Sequence, residues 1–149
     1  MMKILNMYLK GIAAGFLLTT AVVVQAADVA VIVNGTNSET LSIKQIKDIY
    51  SDRLGAWKNG QRIEVYNLPD NQEAANTFAR RVLGISGQAA AAAELQRRTN
   101  NTLKNPSRTK RERLVISIVG RKRNAIGYVP EYMVKNKRNI RVVKILKEK

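Results

Sequence analysis

The sequence predicts one mixed α/β domain behind an export signal. Three observations predict it. Short β-branched runs such as "VAVIV" at 29–33 alternate along the chain with segments whose apolar residues recur at helical spacing. The stretch after residue 27 has the size of a single small domain with one core, and no internal repeat divides it. The first residues pair a sparse positive charge, Lys3 and Lys10, with the apolar run "GIAAGFLLTTAVVV" at 11–24 and small residues at "VQAAD". That run is too short to span a bilayer comfortably and fits a signal cleaved after Ala26 or Ala27. The expected division is therefore a signal peptide at 1–27 and one domain at 28–149, with no stable membrane span once the signal is removed.

Each element follows from its residues. "DVAVIVNG" is an apolar run closed by a turn pair and predicts a first strand. In "LSIKQIKDIY", Ser42 can cap a helix and Gln45, three residues on, can close a capping box. Leu41 can pack against Ile46 from before the cap. Ile43, Ile46, Ile49 and Tyr50 then share a face. "SDRLGAWKNGQ" is loop, with a turn at Asn59–Gly60, and the alternating "RIEVYN" predicts a second strand. Asp70 and Glu73 have capping-box spacing for a helix that carries Ala74, Phe78 and Val82 on one face and ends at Gly84.

Further on, "SGQAAAAAELQRRT" is helical on alanine propensity alone. "NNTLKNPSRTKR" reads as a polar, basic connector. "ERLVISIVGRKR" fits a helix or a buried strand by its apolar run; helix is favoured, with Glu112 near its start and cations at its end, in the sense the helix dipole favours. "AIGYVP" is a short strand, "EYMVKN" a helical turn, and "IRVVKILK" an alternating last strand. The aromatics Tyr50, Trp57, Tyr66, Phe78, Tyr128 and Tyr132 fall mostly at core-like positions.

Composition restricts the chemistry. The chain of 149 residues has a net charge of +15, which loss of Lys3 and Lys10 lowers by two. A field of that size predicts affinity for polyanions, without saying which. There is no Cys and no His, so disulfides, thiol chemistry, lipid attachment through a thiol and the commonest acid–base and metal-ligating side chain are all missing. No serine nucleophile motif or carboxylate cluster with metal-ligand spacing replaces them. Catalysis, metals and cofactors are accordingly not expected.

The landmarks together resemble a known family. "VIVN", "LSIKQIKDIYSDRLGAW", "IEVYNLPD" followed by Phe78 and "RRVLG", and "NAIGYVPEYMVKN" look like the periplasmic phosphate-binding proteins of ABC transporters, and in particular their short, stand-alone relatives. The pieces that carry most weight are Tyr50, Gly55 and Trp57, and "AIGYV" at 125–129. The resemblance implies a single lobe of a type II periplasmic-binding-protein-like fold, a mixed sheet flanked by helices. It implies a periplasmic protein near phosphate transport or sensing, with an ABC transporter or another envelope protein as partner. Full members have two lobes around the anion, and this chain corresponds to about the second half. Their glycine- and serine-rich opening segment has no counterpart here. A homodimer, or a lobe from another chain, would complete such a cleft.

In that family the turn at 68–74 carries an Arg and then Ser-Gly-Thr at a helix start. Aligned on Phe78, the Arg position falls on Leu68 and the other three on Gln72, Glu73 and Ala74, so the specific ligands are absent. Glu73 would repel an anion, and Asp70 adds to it. The resemblance therefore leaves a rebuilt oxyanion site as the expectation, with Asn71, Gln72 and Glu73 offering backbone groups and Ser107, Arg108 and Thr109 offering side chains. The competing reading is an interaction module. Its basic surface would consist of Arg97, Arg98, Lys104, Lys110, Arg111, Arg113, Arg121, Lys122 and Arg123, facing an envelope polyanion or an acidic partner protein. Export makes nucleic acid an unexpected physiological partner, and no aromatics are interleaved for base stacking.

Overall fold

The computed structural model describes residues 15, 18–21 and 26–149; most of the predicted signal lies outside them. Among the described residues no helix is long and apolar enough to cross a membrane.

Five strands form one mixed sheet in the order β3-β2-β4-β1-β5. At its centre, β1 (Val29–Asn34) and β4 (Ala125–Pro130) run antiparallel, with Val29 opposite Pro130 and Val33 opposite Ile126. Every residue of both strands is buried. That is why they read as continuous apolar runs: layers cover both faces. β2 (Glu64–Asn67) lies parallel to β4 on one side. β5 (Ile140–Leu146) lies antiparallel to β1 on the other and forms an edge with partly exposed residues.

The helices are placed by their sequences. Before α1 (Ile43–Tyr50), the Ser42 side chain accepts from the Gln45 N–H, and the Gln45 side chain accepts from the Ser42 N–H. The predicted box is present, and Ile46, Ile49 and Tyr50 are buried. α4 (Glu112–Arg121) buries Val115 and Val119 against the sheet. Its close approach requires a glycine: a Cβ at Gly127 would lie 2.5 Å from Val115 Cγ1. Asn34 at the end of β1 donates to the Val119 carbonyl at 2.8 Å, satisfying a buried amide. On the opposite face Tyr128 stacks on Phe78 with ring centroids 3.9 Å apart, and Tyr50 meets Phe78 edge-on at 4.6 Å.

Three expectations are corrected. Asp70 does not cap a helix. The Gln72 N–H donates to the Pro69 carbonyl in a turn, and α2 (Glu73–Phe78) starts only after it, with Gln72 at the cap and no side-chain cap bond. Glu73 is thereby the first helical residue and lies 3.7 Å from Arg80. The helix also changes character, ending in a π-turn over Ala79–Leu83 before Gly84, whose φ of 73° closes it as predicted. The connector at 100–111 holds a two-residue strand, β3 (Arg108–Thr109), parallel to β2. Lastly, Tyr132 is not core: it is 65% exposed.

The C-terminal end is latched onto the start of the domain. Glu148 accepts from Thr77 Oγ1 and from Arg80, and its N–H donates to Asp28. Lys147 pairs with Asp28 at 2.8 Å and holds that carboxyl below its ordinary value.

Candidate ligand groove

The alanine helix α3 (Gly87–Thr99) buries only Gly87. Its first turn is fixed at both sides: Ser86 caps it, and the Gly87 N–H donates to Asn76 Oδ1 at 3.1 Å. Ala90, Ala91, Glu94, Leu95 and Arg98 lie at successive helical steps and turn one stripe inward. Because the stripe begins with two alanines, the helix leaves space between itself and the sheet. The space is a groove of about 400 Å³. Its floor is aromatic, made by Tyr50, Phe78 and Tyr128, and its polar walls are Asn67, Asp70, Ser107 and Thr109.

A chain of hydrogen bonds runs from the floor to the helix. The Tyr128 hydroxyl accepts from the Leu68 N–H at 3.3 Å and donates to Asn67 Oδ1 at 3.0 Å. Asn67 Nδ2 donates to Ser107 Oγ at 2.8 Å. Ser107 Oγ lies 2.7 and 2.9 Å from the two Glu94 carboxylate oxygens, and the Ser107 N–H also donates to Glu94, at 3.2 Å. Arg98 completes the set, 3.3 Å from the same carboxylate. Burial raises the Tyr50 and Tyr128 phenols well above their ordinary value, so both remain hydrogen-bond donors in the working pH range.

The connector is held in place by other side chains. Asp52 accepts from the N–H groups of Lys104 and Asn105, and Arg62 donates to the Lys104 carbonyl at 2.8 Å. β3 then pairs with β2, placing Tyr66 opposite Arg108 and Asn67 opposite Thr109. Alternation along this segment sends Ser107 and Thr109 into the groove, whereas Arg108 does not line it. Arg108 acts instead on Glu64 and Tyr66, beside Lys122. Lys122 bonds the Glu64 carboxylate at 2.8 Å, which lowers that carboxyl, while the carboxylate raises Lys122.

The predicted site residues thus fall in two places. Ser107 and Thr109 share the groove with Asp70. Gln72 and Glu73 line a separate hollow with Ala26, Glu112 and Tyr132, where Gln72 Oε1 is buried without a partner. Asn71 lines neither. The basic set is also spread out. Arg97 is half-buried at the end of α3, Arg98 lines the groove, and Lys104 is in the connector. Lys110, Arg111 and Arg113 surround the start of α4, while Arg121 closes it and Lys122 and Arg123 follow, about 15 Å away at 1.5 Å per residue. Sequence reasoning missed Glu94 and the aromatic floor. The available signal was the Glu94–Arg98 pair, four residues apart in an otherwise alanine-rich helix.

No family model and no curated protein sequence matches the chain. Solved structures do. An ABC-type phosphate transport receptor from Vibrio cholerae matches with a TM-score of 0.59 at 16% identity, over 80% of this chain and 47% of its own. A protein from Clostridium perfringens, described as a phosphate ABC transporter substrate-binding protein and solved with bound phosphate, matches with a TM-score of 0.58 at 23% identity, over 80% of this chain and 46% of its own. A possible phosphate-binding protein from Planctomyces limnophilus gives 0.59 at 16%, over 80% and 42%. At these identities the likeness is one of fold. The chain spans less than half the length of the proteins it matches. The periplasmic-binding-protein-like lobe expected from the sequence is the fold observed.

Proposed function

We propose that this chain is an exported solute-binding protein whose groove takes a small oxyanion, with phosphate the first candidate, in association with an ABC transporter of the envelope. A binding role rather than a catalytic one fits the residues available. The observation that carries the reading is the donor set at Ser107. Its N–H and hydroxyl, together with Arg98, already hold a carboxylate, the chain's own Glu94. Donors arranged to hold one oxyanion suit another of similar size. The matched proteins named for phosphate support the choice of ligand. Asn67 and the Tyr128 hydroxyl fix Ser107 from behind, so the donors are preorganised.

The test is calorimetric titration with phosphate and sulfate at about 150 mM salt, where long-range charge is screened. Saturable binding is expected, weakened by Arg98→Ala and unchanged by Arg108→Ala, because Arg108 does not line the groove. Absence of heat with either anion refutes the reading. A loss spread evenly over the basic residues, with steep salt dependence, would instead favour a polyanion surface.

A further inference from the structure

We infer that Glu94 is an internal competitor for the groove, and that an arriving oxyanion must displace its carboxylate from Ser107. This rests on the oxyanion reading above and adds its regulation. Ser107 can donate through one N–H and one hydroxyl, and both donate to Glu94. The Ser107 oxygen also accepts from Asn67. Its donors are therefore all in use, and no further anion can be added beside the first. Arg98, the cation of the groove, faces the same carboxylate. Charge acts in the same direction: Asp70 and Glu94 oppose a single guanidinium along the lining.

Displacement is structurally simple. The Glu94 side chain is only 18% exposed, but it lines the groove, and its neighbours Ala90 and Ala91 leave room there for a rotated side chain. The exchange replaces one carboxylate–donor set by another, so binding selects anions that use the donors better than a carboxylate does. Phosphate, with more oxygens, can engage Thr109 and Arg98 at once.

The experiment compares phosphate titration of the wild type, Glu94→Ala and Glu94→Gln, each purified from the full coding sequence. The Ser107 amide is followed by NMR. The inference expects at least about tenfold tighter binding in Glu94→Ala, equivalent to about 1.4 kcal/mol. Glu94→Gln keeps the shape and removes the charge, and its gain should be smaller and of the same sign. It also provides the comparison if the alanine variant folds poorly. Acetate should bind Glu94→Ala, shift the Ser107 amide and compete with phosphate, since it restores the missing carboxylate. Equal affinity in wild type and both variants overturns the inference and leaves the oxyanion reading standing. Weaker binding in the variants also overturns it and makes Glu94 only a tether between α3 and β3. Failure of all three proteins to bind phosphate overturns both.

Discussion

Replacing Tyr128 with Phe removes one oxygen and two hydrogen bonds from beneath the groove while leaving the ring stack in place. The hydroxyl accepts from the Leu68 N–H and donates to Asn67. Leu68 is 3% exposed, so its N–H cannot be satisfied by bulk water. Leaving a buried donor unpaired costs about 1–3 kcal/mol, and the length of this bond, 3.3 Å, puts it in the lower half of that range. Asn67 is only half-buried and can recruit water, so its share is about 0.5–1 kcal/mol. The sum is about 1.5–3 kcal/mol. With a urea m-value of about 2 kcal/mol/M, the unfolding midpoint falls by about 1 M. The variant should also release Asn67 and so shift the Ser107 amide, since Asn67 orients that hydroxyl. Equilibrium urea unfolding and amide spectra of the folded variant measure both. A loss below about 0.5 kcal/mol, or a Ser107 amide that does not move, would refute the argument that the floor organises the site.

Other outcomes follow from the same contacts. Gly127→Ala should destabilise by about 1–3 kcal/mol, because the new methyl meets Val115, a branched side chain with one favoured rotamer on a helix. Urea unfolding checks this, and Val115→Ala in the same chain should recover part of the loss. The raised Tyr50 and Tyr128 phenols make stability depend on alkali. Their folded values lie above the ordinary 10.0, so their contribution is complete below pH 10 and is lost as pH rises beyond it, when the unfolded chain ionises first. Denaturant midpoints measured between pH 8 and 11 should fall, and should fall less steeply in Tyr128→Phe.

The sequence by itself determined the elements whose causes are local. The capping box at Ser42 and Gln45 lies within four consecutive residues, and the structure has it. The continuous apolar runs of β1 and β4 announce strands covered on both sides, and the alternating β5 announces an edge. Gly84 ends its helical segment because the left-handed position there favours glycine.

What the tertiary structure alone decided depends on distant partners. Asp70 has capping-box spacing, yet the turn from Pro69 to Gln72 delays the helix and takes Asp70 into the groove wall. β3 carries no apolar pattern because both its residues are exposed. It exists because β2 offers an edge and Asp52 and Arg62 hold the connector against it. That pairing sets which connector side chains enter the groove, admitting Ser107 and Thr109 and not Arg108. Glu94 becomes a ligand of Ser107 across 13 residues of chain only when helix and connector meet. Periodicity and capping are written within a few residues, whereas a hydrogen bond between two polar segments has no sequence period to reveal it.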